Sequence, residues 1–245
     1  MSGLKSISRS RNGGLSFPTF TGRNYPEATD GLSLAHGTCA LLVILAKLHK
    51  TGILAATCKE LIYGSIALIV QGRNAHAPSL SAYASLYPEA LTKRIAWSRI
   101  SWCYGDLSVA LALWQCGCYF GEEAWKAEAI EIMHYNTRRT LDYSGIKDSC
   151  FCHGASGAAL IYRQFWQETG IDSFYQSSEY WYRQVEDDLS FETHTAQKGL
   201  RTATGAGWTY RADLLSGSAG VGLALLSRLQ DRPLAWQSAF LIGNI

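Results

Sequence analysis

Hydrophobic and polar positions along the chain repeat in a unit that begins at a glycine. Counting on from Gly37, Gly105, Gly154 and Gly217, the third residue is small (Ala40, Ser108, Gly157, Gly220) and the fourth is apolar (Leu41, Val109, Ala158, Val221). The sixth is apolar again (Val43, Leu111, Leu160, Leu223). Residues three, four and six or seven apart share one face of a helix, and small side chains on that face let a neighbouring helix approach closely. The pattern predicts four tightly packed inner helices, each opening at its glycine.

A turn and a more polar helical stretch follow each inner helix: Ala55–Gln71, Glu122–Arg139, Ser173–Leu189 and a short Leu234–Ile242. Charges such as Glu123, Lys126, Glu128 and Glu131 suit an outer, solvated layer. The predicted class is therefore all-α, with inner and outer helices alternating in a degenerate repeat. Two insertions, Asn74–Ser101 and Phe191–Leu215, lead back into the next glycine and so belong to the face where inner helices begin. Strand signals are short, and Gly199–Tyr210 is the one expected hairpin. No linker divides the four units: residues 30–245 read as the repeat array and residues 1–29 as an extension or a remnant of a preceding repeat.

Composition narrows the function classes. At 245 residues, 47% hydrophobic and 17% charged, the chain is long enough for a substantial core and is not predominantly disordered. A net charge of +2 provides no basic field for nucleic acid or an anionic membrane. The longest apolar run, Ala40–Ala46, is far short of the roughly 20 residues that span a bilayer. The amino-terminal segment has no apolar core of a secretory signal, so the default location is the cytoplasm. Seven cysteines at irregular spacing then read as reduced thiols or metal ligands, not as a disulfide framework.

Two segments carry candidate chemistry: Ser98-Arg99-Ile100-Ser101-Trp102-Cys103-Tyr104-Gly105 and Ser149-Cys150-Phe151-Cys152-His153-Gly154. In each, metal-ligating residues stand immediately before an inner-helix glycine, so equivalent places in two repeats supply Cys103 and the Cys152-His153 pair. Zinc takes thiolate and imidazole tetrahedrally, and catalytic zinc has three protein ligands with the fourth position open. The bland alternative is that these thiols are core residues, since free cysteine is among the most buried residue types. Cys150 is the one serious substitute ligand; Cys116 and Cys118 lie about three turns into their helix at ~1.5 Å per residue, away from the loop face.

Together Trp102-Cys103-Tyr104-Gly105, Cys152-His153-Gly154, Leu34-Ala35-His36-Gly37 and the closing Ser216-Gly217-Ser218-Ala219-Gly220-Val221-Gly222 resemble the lanthionine synthetase C cyclases, from about Asp30 onward. The resemblance implies an α/α toroid, a double ring of helices with Zn2+ at one face, held here by Cys103, Cys152 and His153. It implies addition of a peptide cysteine thiol across the double bond of a dehydrated Ser or Thr in a ribosomal precursor peptide. By the same resemblance His36 is the acid/base residue, Arg99 stabilises negative charge on oxygen, and Tyr104 hydrogen-bonds within the pocket. The implied partners are the dehydrated peptide and a dehydratase and transporter complex, through which a cytoplasmic protein associates with the membrane.

Family cyclases have further helical units upstream of the His-Gly motif, whereas only about 30 residues precede His36 here. The toroid is thus expected to be incomplete at its amino-terminal side. An open arc of inner helices predicts self-association or a complementing chain. The alternative function is a shortened, non-catalytic module that binds zinc and a thiol such as glutathione or a cysteine peptide.

Overall fold

The computed structural model describes residues 2–22, 25–74, 81–87, 97–194 and 200–243. Helix α1 (Ser2–Ile7) leads into two hairpins, β1 (Arg9–Arg11) with β2 (Gly14–Ser16) and β3 (Phe20–Gly22) with β4 (Tyr25–Thr29). Helices α2 (Thr38–Lys50), α3 (Ala55–Gln71), α4 (Asp106–Phe120) and α5 (Glu123–Asn136) follow, then the single turn α6 (Leu141–Ser144). The rest comprises α7 (Ala155–Thr169), α8 (Asp172–His194), a hairpin of β5 (Arg201–Thr204) and β6 (Gly207–Tyr210), α9 (Ser218–Arg228) and α10 (Ala235–Ala239). Two compact units result, one of residues up to Ser98 with Cys103–Tyr135, the other of Arg99–Trp102 with Asn136–Gly243.

All four marker glycines are the residues immediately before α2, α4, α7 and α9, as the hydrophobic pattern requires. None of these helices has a side-chain cap. In three of them a backbone carbonyl six residues before the glycine serves instead, accepting the first helical N–H: Thr38 N to Gly31 O, Ala155 N to Asp148 O and Ser218 N to Arg211 O, each at 2.9 Å. The bond satisfies a donor that the helix cannot. It also brings the loop so close that a Cβ on Gly37, Gly154 or Gly217 would overlap that same carbonyl. Gly105 solves the turn differently, with φ of 90° and ψ of −155°, a conformation open to glycine alone.

Two of the inner helices are buried over most of their length, α4 from Asp106 to Gly117 and α7 from Ala155 to Phe165, whereas α2 and α9 are buried at fewer than half of their positions. In the first unit α2 packs against α3 and α4, and β2 lies across α3 where Gly64 accommodates Leu15. In the second unit α7 packs on α8 and α9. There Tyr182 Oη donates to Ala224 O at 3.1 Å and Ser178 Oγ to Ala159 O at 2.9 Å. Trp102, Phe151, Trp236 and Phe240 form an aromatic cluster with centroids 5.1 to 5.8 Å apart, and Trp102 Nε1 donates to Phe240 O at 2.9 Å. Each such ring pair contributes about 0.5–1.5 kcal/mol beyond burial.

The outer stretches also form, with shifted ends: α5 stops at Asn136 and not Arg139, α8 extends to His194, and α10 is confined to Ala235–Ala239. The hairpin expected at Gly199–Tyr210 is β5–β6, with Arg201 opposite Tyr210; Gly199 lies outside the described residues, as do parts of both insertions. The two hairpins before Asp30 were not expected. β1–β2 turns at Asn12 (φ 46°) and Gly13 (φ 78°), the pairing that a tight hairpin turn favours, but its flanking residues are too polar to show a strand pattern. Among the described residues no helix is long and apolar enough to cross a membrane.

Two glycines of α9 make the packing testable. A Cβ at Gly220 would overlap the Leu214 carbonyl, whereas one at Gly222 would meet nothing within 4 Å. Gly220→Ala is expected to destabilise the chain by about 1–3 kcal/mol. Gly222→Ala is expected to stabilise it by about 0.5–1 kcal/mol through helix propensity. Denaturant unfolding of the two variants checks both signs.

Candidate metal centre

The sequence-predicted residues occupy equivalent positions in the loops that open the inner helices. Two residues before the marker glycine stand Ala35, Cys103, Cys152 and Leu215; one residue before it stand His36, Tyr104, His153 and Ser216. Neighbouring loops are tied at the first of these positions, by Ala35 N to Cys103 O at 3.5 Å in the first unit and Cys152 N to Leu215 O at 2.8 Å in the second. The repeat thus extends from hydrophobic pattern to backbone hydrogen bonding.

In the first unit, Ser33 organises the His36 loop. Its hydroxyl donates to Cys103 O at 2.5 Å and accepts from Ala35 N at 3.0 Å and His36 N at 2.9 Å. Gly105 N returns a bond to Leu32 O at 3.3 Å, so the loop carrying His36 and the loop carrying Cys103 are laced together. His36 is exposed and its ring lies 6.2 Å from that of half-buried Tyr104, while Cys103 is only 9% exposed. Arg99 is half-buried in the Arg99–Trp102 segment, which belongs to the second unit.

In the second unit the organising residue is Asp148, which the sequence reading missed. It is buried, and its Oδ1 accepts Cys150 N at 3.0 Å while Oδ2 accepts Ala203 N of β5 at 2.8 Å. His153 Nε2 lies 3.6 Å from Oδ2, longer than a hydrogen bond. Burial by itself would push this carboxyl up, but the His153 imidazole, the Ala203 amide, and the thiol and amide of Cys150 outweigh it and hold the group below its ordinary range. The signal available in the sequence was local: an aspartate bonding the amide two residues on is an Asx turn.

Asp148, Cys150 and His153 bring ligand atoms within 4.8 Å of one another, the cluster of this kind among the described residues. Cys152 is not in that cluster; it is half-buried, on the loop position equivalent to Cys103. The remaining thiols separate cleanly. Burial pushes Cys39 up strongly and Cys116 up to about 12, and it raises Cys58 as well, so these behave as core residues. Cys118 is exposed on α4.

A family model described as lanthionine synthetase C-like protein matches residues 4–241. The chain belongs to the lanthionine synthetase C-like family. Among solved structures, nisin cyclase is similar with a TM-score of 0.69 and 20% identity, over 89% of this chain and 52% of that one. That likeness shows a shared fold, the helical toroid, of which the chain spans about half the length. A search of curated proteins finds no match. The family match takes in the hairpins before Asp30, where the sequence resemblance was placed from about Asp30 onward.

As a donor set for this family's metal, the second unit offers imidazole and thiol, which suit zinc, with a carboxylate already occupied by two backbone amides. That occupation favours Asp148 as a support of His153 over a direct ligand, the role carboxylates commonly take beside metal-binding histidine. Asp148→Ala strands two backbone N–H groups, and at about 1–3 kcal/mol each the loss should reach about 2–6 kcal/mol by denaturant unfolding. Asp148→Asn keeps an acceptor for one of them and should fall clearly short of that. Equal losses for the two variants would contradict this account of the loop.

Proposed function

We propose that this lanthionine synthetase C-like chain is a zinc-dependent thioether cyclase acting on a dehydrated precursor peptide. The observation that carries the reading is the repeated loop: sulfur donors Cys103 and Cys152 stand two residues before an inner-helix glycine, and imidazoles His36 and His153 stand one residue before. Zn2+ would be held by Cys152 and His153, with Cys103 joining them on the family's motif. Bound zinc supplies the means to keep a peptide thiol deprotonated at neutral pH.

The protein's own residues supply the rest of the reaction. Asp148 limits the rotation of His153 and so preserves the orientation of the imidazole. As the peptide sulfur bonds to the β-carbon of the dehydro residue, the carbon–carbon π bond opens toward the α-carbon and its carbonyl. Arg99 stabilises the charge that reaches the carbonyl oxygen. His36, exposed and fixed at its backbone by Ser33, delivers a proton to the α-carbon, beside Tyr104. The net change is addition of S–H across C=C. The substrate must come from a dehydratase, and both steps belong in the cytoplasm, with a transporter complex as a further partner.

Elemental analysis and thiol counting test the reading. Cys152→Ala and Cys103→Ala are expected to lower zinc well below one per chain, and Cys150→Ala to keep it; loss confined to Cys150→Ala would move the site to the Asp148 cluster. With a dehydrated peptide, zinc-loaded protein should consume peptide thiols, and His36→Ala should slow that at least ~100-fold with zinc retained. A zinc-loaded chain that binds the peptide without consuming thiol is the non-catalytic module.

A further inference from the structure

We propose that the first unit contains a built water site, formed by Asp30, Ser16 and Ser65 behind the loop that carries His36. A small cavity lies among β2, the start of α2 and the middle of α3, lined by Ser16, Asp30, Leu32, Thr38, Ser65 and Tyr87 among others. About 10 Å³ of it is open to the centre of a water-sized sphere, which is room for one molecule. Asp30 is 4% exposed, and Ser16 and Ser65 are each 1% exposed. Both carboxylate oxygens of Asp30 and both serine hydroxyls are buried without a hydrogen-bond partner among the described residues. Four orphaned polar atoms around one water-sized space are a strong demand for an occupant, because a buried polar group without a partner is costly and a buried carboxylate more so.

The charge balance identifies that occupant as water and not a metal ion. Arg11 Nη1 lies 4.0 Å from Asp30 Oδ2, so the carboxylate already has a cation beside it. A second cation would leave excess positive charge against Leu32, Leu68 and Ile69, which also face the cavity. A single water donates two hydrogen bonds to Asp30 and accepts from the serine hydroxyls, satisfying every orphan at once. The site reaches the neighbouring backbone directly. Asp30 O accepts Tyr87 N at 2.8 Å, Thr19 Oγ1 accepts Gly31 N at 2.7 Å, and Gly31 O accepts Thr38 N at the opening of α2. Water held at Asp30 therefore pins the first residue of the loop that ends at His36, whatever reaction His36 serves.

The test is a crystal structure of the full chain, with a parallel crystal soaked in thallium(I) as an anomalous probe for monovalent cations. The expected result is one density peak within about 3.2 Å of the Asp30 carboxylate and both hydroxyls, with no anomalous signal. Thermal midpoints in matched sodium, potassium and choline chloride should then coincide. An anomalous peak at the site, or a midpoint raised by sodium or potassium over choline, would overturn the assignment in favour of a cation. A cavity without density would overturn it altogether. Ser65→Ala should keep the peak on its remaining partners, and Asp30→Leu should abolish it; a peak that survives Asp30→Leu would also refute the assignment.

Discussion

Three of the four loops that open inner helices, those carrying His36 and the Cys152-His153 pair among them, depend on one backbone contact, the carbonyl six residues before a marker glycine that accepts the first N–H of the helix. The contact recurs with the same length at Gly31, Asp148 and Arg211. It forces the chain into a tight loop before the helix, and only a residue without a Cβ fits against it. Because the loop is fastened at both this contact and the glycine, the two residues ahead of the glycine have a defined place, and these are the positions that hold Cys152 and His153. A helix capped by a serine or aspartate side chain would satisfy the same donor. It would leave the preceding residues with no comparable constraint.

Side chains then reinforce each loop in its own way. Ser33 and Asp213 stand at the same loop position and both accept the amide three residues on, His36 N at 2.9 Å and Ser216 N at 2.7 Å. In the loop that carries Cys152, that position is Cys150, which cannot play this part well, and Asp148 takes over by holding the Cys150 amide from two residues earlier. The same carboxylate turns Oδ2, which accepts Ala203 N, toward His153 Nε2 at 3.6 Å, so the loop and the surroundings of the imidazole are organised by one residue. The thiols of Cys39, Cys58 and Cys116 are driven toward the neutral form by burial.

The inner helices were legible because their information is periodic. Ala40, Ser108, Gly157 and Gly220 recur at one interval from a glycine, and that interval is a helix face. The outer helices were legible as elements but not at their ends, since the polar residues around Arg139 and Leu234 fit a helix or a loop equally well. The loop contact was not legible at all: it joins two backbone atoms, and the residues involved, Gly31, Asp148 and Arg211, share no side-chain property. Asp148 escaped notice for that reason, and so did Asp30, whose isolation in a cavity depends on β2, a strand too short and polar to read. Asn12-Gly13 was the one turn signal before Asp30 that chemistry alone could have caught.

Under the proposed function, the repeated loop would present a thiolate and imidazole donor set to zinc, with the carboxylate of Asp148 one step removed from the metal. Zinc-edge X-ray absorption of the zinc-loaded full chain measures the donor atoms directly. Two sulfur neighbours at about 2.3 Å and a nitrogen neighbour at about 2.0–2.1 Å are expected. A shell with a single sulfur and a carboxylate oxygen would place Asp148 and Cys150 on the metal and contradict it.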